Sequence, residues 1–316
     1  MTQVADLSEY EIITLLKNKL PQSSNIDLGI GDDAAVLAIP SKKLVTSTDL
    51  LVENQDFRLS WQGNSGFKQG FKAFVQNAAD IYAMGAKPTA MLLSLALPKT
   101  TEINYLEDLA SGINAAAKYY GCDNFSVIGG DLSSSTELAI SITIFGELVG
   151  KKPITRTGAE VEDIVAINGI PGLAAAALAT LEGKLVAQNN DFINYQLQPK
   201  PALNNMSTKA HAMIDTSDGL LKDAKRIVNA SQVAIKLDSL AFDEYLPKFT
   251  SALEISEAQA LDFMLHGGED HNLLATFAAD EIPKEFHQIG KVVSGNGIYL
   301  DDKAIAEKGW EHFLSR

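Results

Sequence analysis

A chain of 316 residues with 46% hydrophobic and 21% charged residues is long enough for two cores and has the composition of an ordinary globular protein, which excludes general disorder. Its 26 Lys and Arg face 40 Asp and Glu, a net charge of -14 with no basic run to offset it, so nucleic acid is excluded as a partner. Cys122 is the only cysteine, which rules out an intrachain disulfide and a cysteine-built zinc site, and no apolar run reaches the ~18 residues of a membrane span.

The N-terminus, MTQVADLSEYEI, has neither the basic start nor the apolar stretch of an export signal, so the expected location is the cytoplasm. Ser8 followed by Glu11 forms a capping box that opens a helix, and Pro21 closes it from outside. Two β-rich stretches follow, Ala34 to Ile39 and Leu44 to Thr48. Phe67, Phe71, Phe74, Ala78 and Ile81 then recur at helical spacing with Gly85 as the stop, and Asn77 and Asp80, three apart, share a face of that helix. Thr89 to Leu97 reads as a strand, Glu102 to Tyr119 as a helix ended by Gly121, and Phe125 to Ile128 as a strand feeding a Gly129-Gly130-Asp131 turn. Glu137 to Glu147 alternates as a half-buried strand does.

Gly150 to Pro153 is short, polar and rich in turn formers, which sets a boundary between domains 1–149 and 150–316. Beyond it, Ile164 to Ile167 is a strand, NGIPG a turn, Leu173 to Leu181 an alanine-rich helix, and Asn272 to Phe277 a strand. IDTSDGL, from Ile214, reads as a strand entering a helix whose first turn carries Ser217 and Asp218, where orphan N–H groups suit a phosphate. The alternation predicts an α/β (α+β) protein.

Acidic residues recur beside glycine and hydroxyl residues at the expected strand ends: GIGDDAAV with Asp32 and Asp33, Ser47-Thr48-Asp49, Asp80, Gly130-Asp131, Asp215 to Asp218, and HGGED with Glu269 and Asp270. Carboxylates converging on one cleft repel one another unless divalent cations sit among them, so the pattern points to magnesium and phosphate chemistry. Taken singly each motif has a plain structural reading. Asp32 and Asp33 fit a turn, Ser47 to Asp49 a strand-end cap, Asp80 a solvated helix face, Asp215 and Asp218 a helix cap, and HGGED a polar turn. The five histidines show no HExxH spacing and no GxxxxGK[ST] occurs, so neither a histidine-held metal nor a P-loop is expected. Arg156, in ITRTGA, is the best isolated cation for a phosphate oxygen.

In order and together, GIGDDAAV, STDLLVE, NAADIYAMGA, IGGD, ITRTGA, IDTSDGL, HGGED and IGKV resemble the bacterial thiamine-monophosphate kinase family from about Leu28 to the C-terminal GWEHF. That family belongs to the superfamily of aminoimidazole ribonucleotide synthetase, selenophosphate synthetase and hydrogenase maturation proteins. The resemblance implies an N-terminal α/β domain that pairs through its β-sheet in a homodimer, and a second α/β domain beside it. It implies ATP and thiamine monophosphate as substrates, thiamine diphosphate as product, and several magnesium ions, with potassium a further candidate cation. By position, Asp33, Ser47, Thr48, Asp49, Asp80, Asp131, Asp215 and Asp218 match metal-binding residues. Gly130, Asp131, Arg156 and Ser217 match nucleotide contacts, Glu269 and Trp310 match substrate contacts, and Asp32 is a supporting acid.

One position departs from the pattern: the family's VEGVHF becomes VENQDF, with Asp56 where a histidine is usual, and a carboxylate there can accept but not donate a hydrogen bond at neutral pH. The reaction expected is direct in-line transfer of the γ-phosphoryl group with no dedicated general base, supported electrostatically by Asp49, Asp131 and Arg156. The alternatives are another ATP-using enzyme of the superfamily and a non-catalytic nucleotide or thiamine-phosphate sensor. Against the first, the reactive Cys of selenophosphate synthetases and the C-terminal Cys of the hydrogenase-maturation branch are both missing, and Cys122 reads as packing.

Overall fold

The computed structural model describes residues 2–21, 26–28, 36–37, 43–150 and 152–306. The chain folds as two compact units, one of Met1–Tyr82 with Ala86–Lys151 and the other of Ala83–Gly85 with Lys152–Arg316.

The first unit opens with α1 (Glu9–Lys19), where Ser8 Oγ accepts from the Glu11 N–H at 3.3 Å and the Glu11 carboxylate accepts from the Ser8 N–H at 2.8 Å, the capping box expected from the sequence. Strands β1 (Ile26–Leu28) and β2 (Val36–Leu37) pair antiparallel, and the rest of the stretch expected from Ala34 to Ile39 lies outside the described residues. Then come β3 (Leu44–Val52), α2 (Gly66–Ala83), β4 (Ala86–Leu97), α3 (Ile103–Tyr119), β5 (Ser126–Ser134) and β6 (Ala139–Leu148). The last four strands form one sheet in the order β3-β6-β4-β5. Only β4 and β5 run parallel, because α3 carries the chain back between them.

Ile140, Ile142 and Ile144 of β6 and Leu93, Leu95 and Leu97 of β4 are buried on the inner face, where a Cβ on Gly146 would lie 2.4 Å from Ile81 of α2. Helices α2 and α3 meet backbone to backbone: a Cβ on Gly70 would stand 2.0 Å from Leu109 O, and one on Gly112 1.9 Å from Phe67 O. Leu44, Thr46, Thr48 and Leu50 of β3 point to the opposite face and are exposed. Cys122 is buried near the Tyr82 hydroxyl at 3.5 Å, and burial pushes its thiol above the usual range.

Two local expectations are corrected. Strand β3 continues to Val52 because nine consecutive residues pair with β6, so Ser47, Thr48 and Asp49 lie mid-strand rather than at a strand end. Likewise Gly129, Gly130 and Asp131 form no turn but continue β5 alongside β4, with Gly130 opposite Leu93.

The second unit contains β7 (Ile164–Ile167), α4 (Leu173–Leu181), α5 (Asn194–Leu197), β8 (Ala212–Asp215), α6 (Leu220–Ser231), β9 (Ala234–Leu237), α7 (Leu246–Thr250), α8 (Glu257–His266), β10 (Leu273–Phe277), β11 (His287–Val293), β12 (Gly297–Leu300) and β13 (Lys303–Ala304). The sheet order is β13-β12-β9-β11-β7-β10-β8, antiparallel except where β12 joins β9. Strands β7, β8 and β10 are buried along their whole length, β8 even though it ends the strand order, so both faces of this part of the sheet are covered. Leu220, Leu221, Ala224, Ile227 and Val228 give α6 its core stripe.

Alanine in a helix interior normally stabilises relative to glycine by up to ~1 kcal/mol. Gly70→Ala reverses that sign, because the new methyl group meets a backbone carbonyl that cannot move aside, and a loss of about 2 kcal/mol is expected in urea denaturation.

Candidate functional site

In the first unit Ser47 and Asp49 share the inner face of β3 with Asn77 and Asp80 on α2. Ser47 Oγ donates to Asp80 Oδ2 at 2.5 Å, and the Asp49 N–H donates to Asn77 Oδ1 at 3.1 Å. The buried amide of Asn77 is anchored by its own donation to Ala73 O at 2.9 Å. The expected shared face of Asn77 and Asp80 is therefore present, and it meets the strand. Thr48 faces away from them: residues adjacent in a strand point to opposite faces, and its hydroxyl engages Ile142 O at 2.9 Å and Thr143 Oγ1 at 3.1 Å on the outer face.

Asp131 is exposed on β5, the far edge strand from β3. Three strand spacings separate the two edges, about 14 Å. Gly130 serves the strand pairing itself, since a Cβ there would fall 1.7 Å from Leu93 O. Asp56 Oδ2 accepts from the Val52 N–H at 2.8 Å, so its carboxylate braces the turn that follows β3.

In the second unit β8 delivers Asp215, which is 4% exposed, with His271 Nδ1 3.3 Å from its Oδ2. Ser217 and Asp218 do not lie in the first turn of α6. They precede its N-cap, Gly219, whose φ of +117° is open to glycine, and a Cβ there would also meet His266 O at 2.6 Å. The Asp218 N–H instead donates to the fully buried Asp223 carboxylate at 3.0 Å, and the Arg226 guanidinium spans Asp223 and Asp218, with Lys222 3.5 Å from Asp218. Burial, opposed by Arg226, pushes the Asp223 carboxyl up to about 7.

The loop after α8 lies against this turn. Glu269, at φ +66°, donates its N–H to Ser217 O at 2.8 Å, His271 donates to Thr216 O at 2.9 Å, and Thr216 donates to Asn272 O at 2.8 Å. The Glu269 carboxylate accepts from Gln196 Nε2 at 2.5 Å. Asp270 turns the other way, its two oxygens taking the N–H groups of Gly172 at 2.5 Å and Ala174 at 2.9 Å at the start of α4, so it caps a helix rather than facing a substrate. Arg156 is exposed, on a segment whose carbonyl accepts from Ser231 Oγ at 2.9 Å.

Asp32, Asp33 and Trp310 lie outside the described residues. Among the described residues no three His, Cys, Asp or Glu side chains gather into a ready metal cage. No described helix is long and apolar enough to cross a membrane. A cavity of about 1010 Å³ opens in the second unit, lined by Asn168, Phe192, Tyr195, Lys248, Asp270 and Asn272 among others.

Residues 31–148 match the AIR synthase related protein N-terminal domain, and residues 163–303 match its C-terminal domain. A thiamine-monophosphate kinase from Mycobacterium tuberculosis is 34% identical over 313 residues, spanning 97% of this chain and 92% of that protein. The chain belongs to the thiamine-monophosphate kinase family. A second member, from Escherichia coli K12, is 35% identical over 279 residues, 85% of this chain and 82% of its own length. The solved structure of AaThiL complexed with AMPPCP and TMP superposes with a TM-score of 0.76 at 30% identity, covering 99% of both chains.

For this family member, sequence reasoning overlooked Asp223, Arg226 and Gln196. The first two carried a signal: Asp223 with Arg226 at i,i+3 and Asp218 with Lys222 at i,i+4 are helix ion-pair spacings. Gln196 carried none, since its partner is 73 residues away.

The raised Asp223 carboxyl binds its proton in the folded chain up to about pH 7 while the unfolded chain has released it near ~4, so this group's contribution to stability falls as pH rises between those values. Arg226→Ala removes the charge that offsets the ionised carboxylate. The expected cost is about 3 kcal/mol at pH 8, the lower end of the range for a broken buried pair given the partial exposure of Arg226, and clearly less at pH 5, read by urea denaturation.

Proposed function

We propose that this chain transfers the γ-phosphoryl group of ATP to the phosphate of thiamine monophosphate, giving thiamine diphosphate and ADP. The observation that carries the reading is the likeness, along almost the whole of both chains, to AaThiL complexed with AMPPCP and TMP. AMPPCP is an ATP analogue, so its presence beside TMP pairs a nucleotide donor with an acceptor.

Within the first unit Ser47, Asp49 and Asp80 offer oxygen donors suited to a hard cation such as magnesium, and within the second Asp215 and Asp218 do, with Asp33 and Asp131 added by sequence position only. Bound there, magnesium would neutralise phosphate charge and hold the reacting oxygens in line. Thr48 joins this set by sequence position only, its hydroxyl being on the other face of β3. Potassium is a further candidate.

Gly130, Asp131, Arg156 and Ser217 are the nucleotide contacts by sequence position, with the exposed Arg156 as the cation for a phosphate oxygen. Glu269 and Trp310 hold the thiamine moiety, where an indole can stack on a planar ring. Asp56 is a weaker member of the group, since one carboxylate oxygen already braces its own turn. The acceptor is a phosphomonoester whose second pKa lies near ~6, so its oxygen is already ionised at neutral pH and attacks without a general base. As the new P–O bond forms, the bond from the γ-phosphorus to the bridging oxygen breaks and ADP leaves.

A homodimer belongs to the same proposal. The outer face of β3 presents Thr46, Thr48 and Leu50, the last 54% exposed, as a surface for a second copy. A cytoplasmic location is proposed from the use of ATP.

Chromatographic detection of thiamine diphosphate from ATP, magnesium and thiamine monophosphate, with free thiamine as comparison, tests the reaction. Product is expected from the monophosphate only, and ATP binding without product would favour a sensor. Asp49→Asn and Asp131→Asn are each expected to lower turnover by ~100-fold or more with unchanged circular dichroism. Leu50→Asp is expected to shift the sedimentation profile from dimer to monomer. Monomeric behaviour of the unmodified chain at micromolar concentration would defeat the dimer.

A further inference from the structure

We infer that Gln196 is a positioning residue that aims the Glu269 carboxylate at the acceptor substrate, an inference that rests on the proposed contact between Glu269 and thiamine monophosphate. Gln196 lies on α5 and is 1% exposed, and its Nε2 meets Glu269 Oε2 at 2.5 Å across 73 residues of sequence. An ionised carboxylate only accepts hydrogen bonds, so the amide has one orientation, nitrogen toward Glu269. Its own oxygen is left buried with no hydrogen-bond partner among the described residues.

That orphan oxygen is the informative feature. For packing alone, a leucine would fill a similar volume and leave no polar atom unsatisfied. What the glutamine adds over leucine is its donor, and its donor serves Glu269. The backbone of Glu269 is fixed independently, through its N–H bond to Ser217 O and its left-handed φ of +66°. With the main chain held by the Thr216–Ser217 turn, the bond from Gln196 to one carboxylate oxygen orients the side chain as an acceptor for the N–H groups of an aminopyrimidine ring. Asn194, Tyr195 and Gln198 beside Gln196, and Asp270 and Asn272 beside Glu269, line the cavity of the second unit, whereas Gln196 and Glu269 themselves do not.

The test is a split of kinetic constants, supported by equilibrium binding of thiamine monophosphate. Gln196→Leu is expected to raise KM and Kd for thiamine monophosphate about tenfold, leave KM for ATP within about twofold, and leave the melting temperature equal or higher. Gln196→Glu sets two carboxylates against each other, so its KM defect is expected to shrink as pH falls from 8 to 6 and one of them protonates. In the double variant with Glu269→Ala, the loss is expected to match that of Glu269→Ala alone.

Wild-type constants in Gln196→Leu beside a defective Glu269→Ala would overturn the positioning role while leaving Glu269 at the substrate. A fall in melting temperature with both KM values changed equally would make Gln196 structural and overturn it as well. Wild-type constants in Glu269→Ala itself would overturn the underlying assignment of Glu269, and the inference with it.

Discussion

Three backbone hydrogen bonds knit the Thr216–Ser217 turn to the Glu269–Asn272 segment, and the second unit's candidate site depends on them. Each segment joins a strand to a helix, and β8 and β10 are neighbours in the sheet with Asp215 opposite Leu273. Segments leaving adjacent antiparallel strands at the same end need not touch, yet here the glycines bring them together. A Cβ on Gly268 would stand 2.7 Å from Ser217 O and one on Gly219 2.6 Å from His266 O, so any larger residue would force them apart. Ser217, Asp218 and Glu269 thereby take main-chain positions set by hydrogen bonds within the protein, and groups so positioned need little reordering to meet a ligand.

The first unit reaches a comparable rigidity by another route. There the main chain is already fixed by the β3–β6 ladder, and the problem is to hold Asp49 and Asp80 on facing elements despite their like charge. Hydroxyl and amide side chains supply the answer: Ser47 gives Asp80 a donor, and Asn77 takes the Asp49 N–H that an edge strand would otherwise leave to water. The polar groups of the strand edge and the helix face are thus satisfied by each other, while the carboxylates remain on a surface suited to cations.

Much of the scaffold was legible because it rests on local periodicity. The Ser8–Glu11 capping box, the aromatic stripe of α2 and the alternation of β6 are short-range signals, and each corresponds to an element of the structure. Legibility failed where glycine and small polar residues were taken as punctuation. At Gly129 and Gly130 the small residues permit close approach of one strand to another, and that reason is set by a neighbour some 37 residues earlier in the chain, Leu93 opposite Gly130. The same holds for Ser217 and Asp218, which resemble a helix start until Gly219 and the buried Asp223 show that the helix begins one step later. Asp270 was indistinguishable by type from Glu269, yet the chain turns through left-handed backbone at Glu269 and His271, and one carboxylate caps α4 while the other meets Gln196.

The charge balance carries the last step. A chain of net charge -14 repels a nucleotide at long range, so attraction must be local. The turn that carries Ser217 has cations beside it: Arg226 spans Asp218 and Asp223, and Lys222 stands beside Asp218. These side chains neutralise carboxylates that would otherwise oppose an incoming phosphate. They also bear on how Asp218 is shared, because a carboxylate held by Arg226 and Lys222 binds a further cation less strongly than an isolated one. Asp223 makes the sharing possible. Its buried carboxyl, pushed up to about 7 by burial despite Arg226, fixes the guanidinium from below and receives the Asp218 N–H, so the turn keeps its shape whichever cation Asp218 faces.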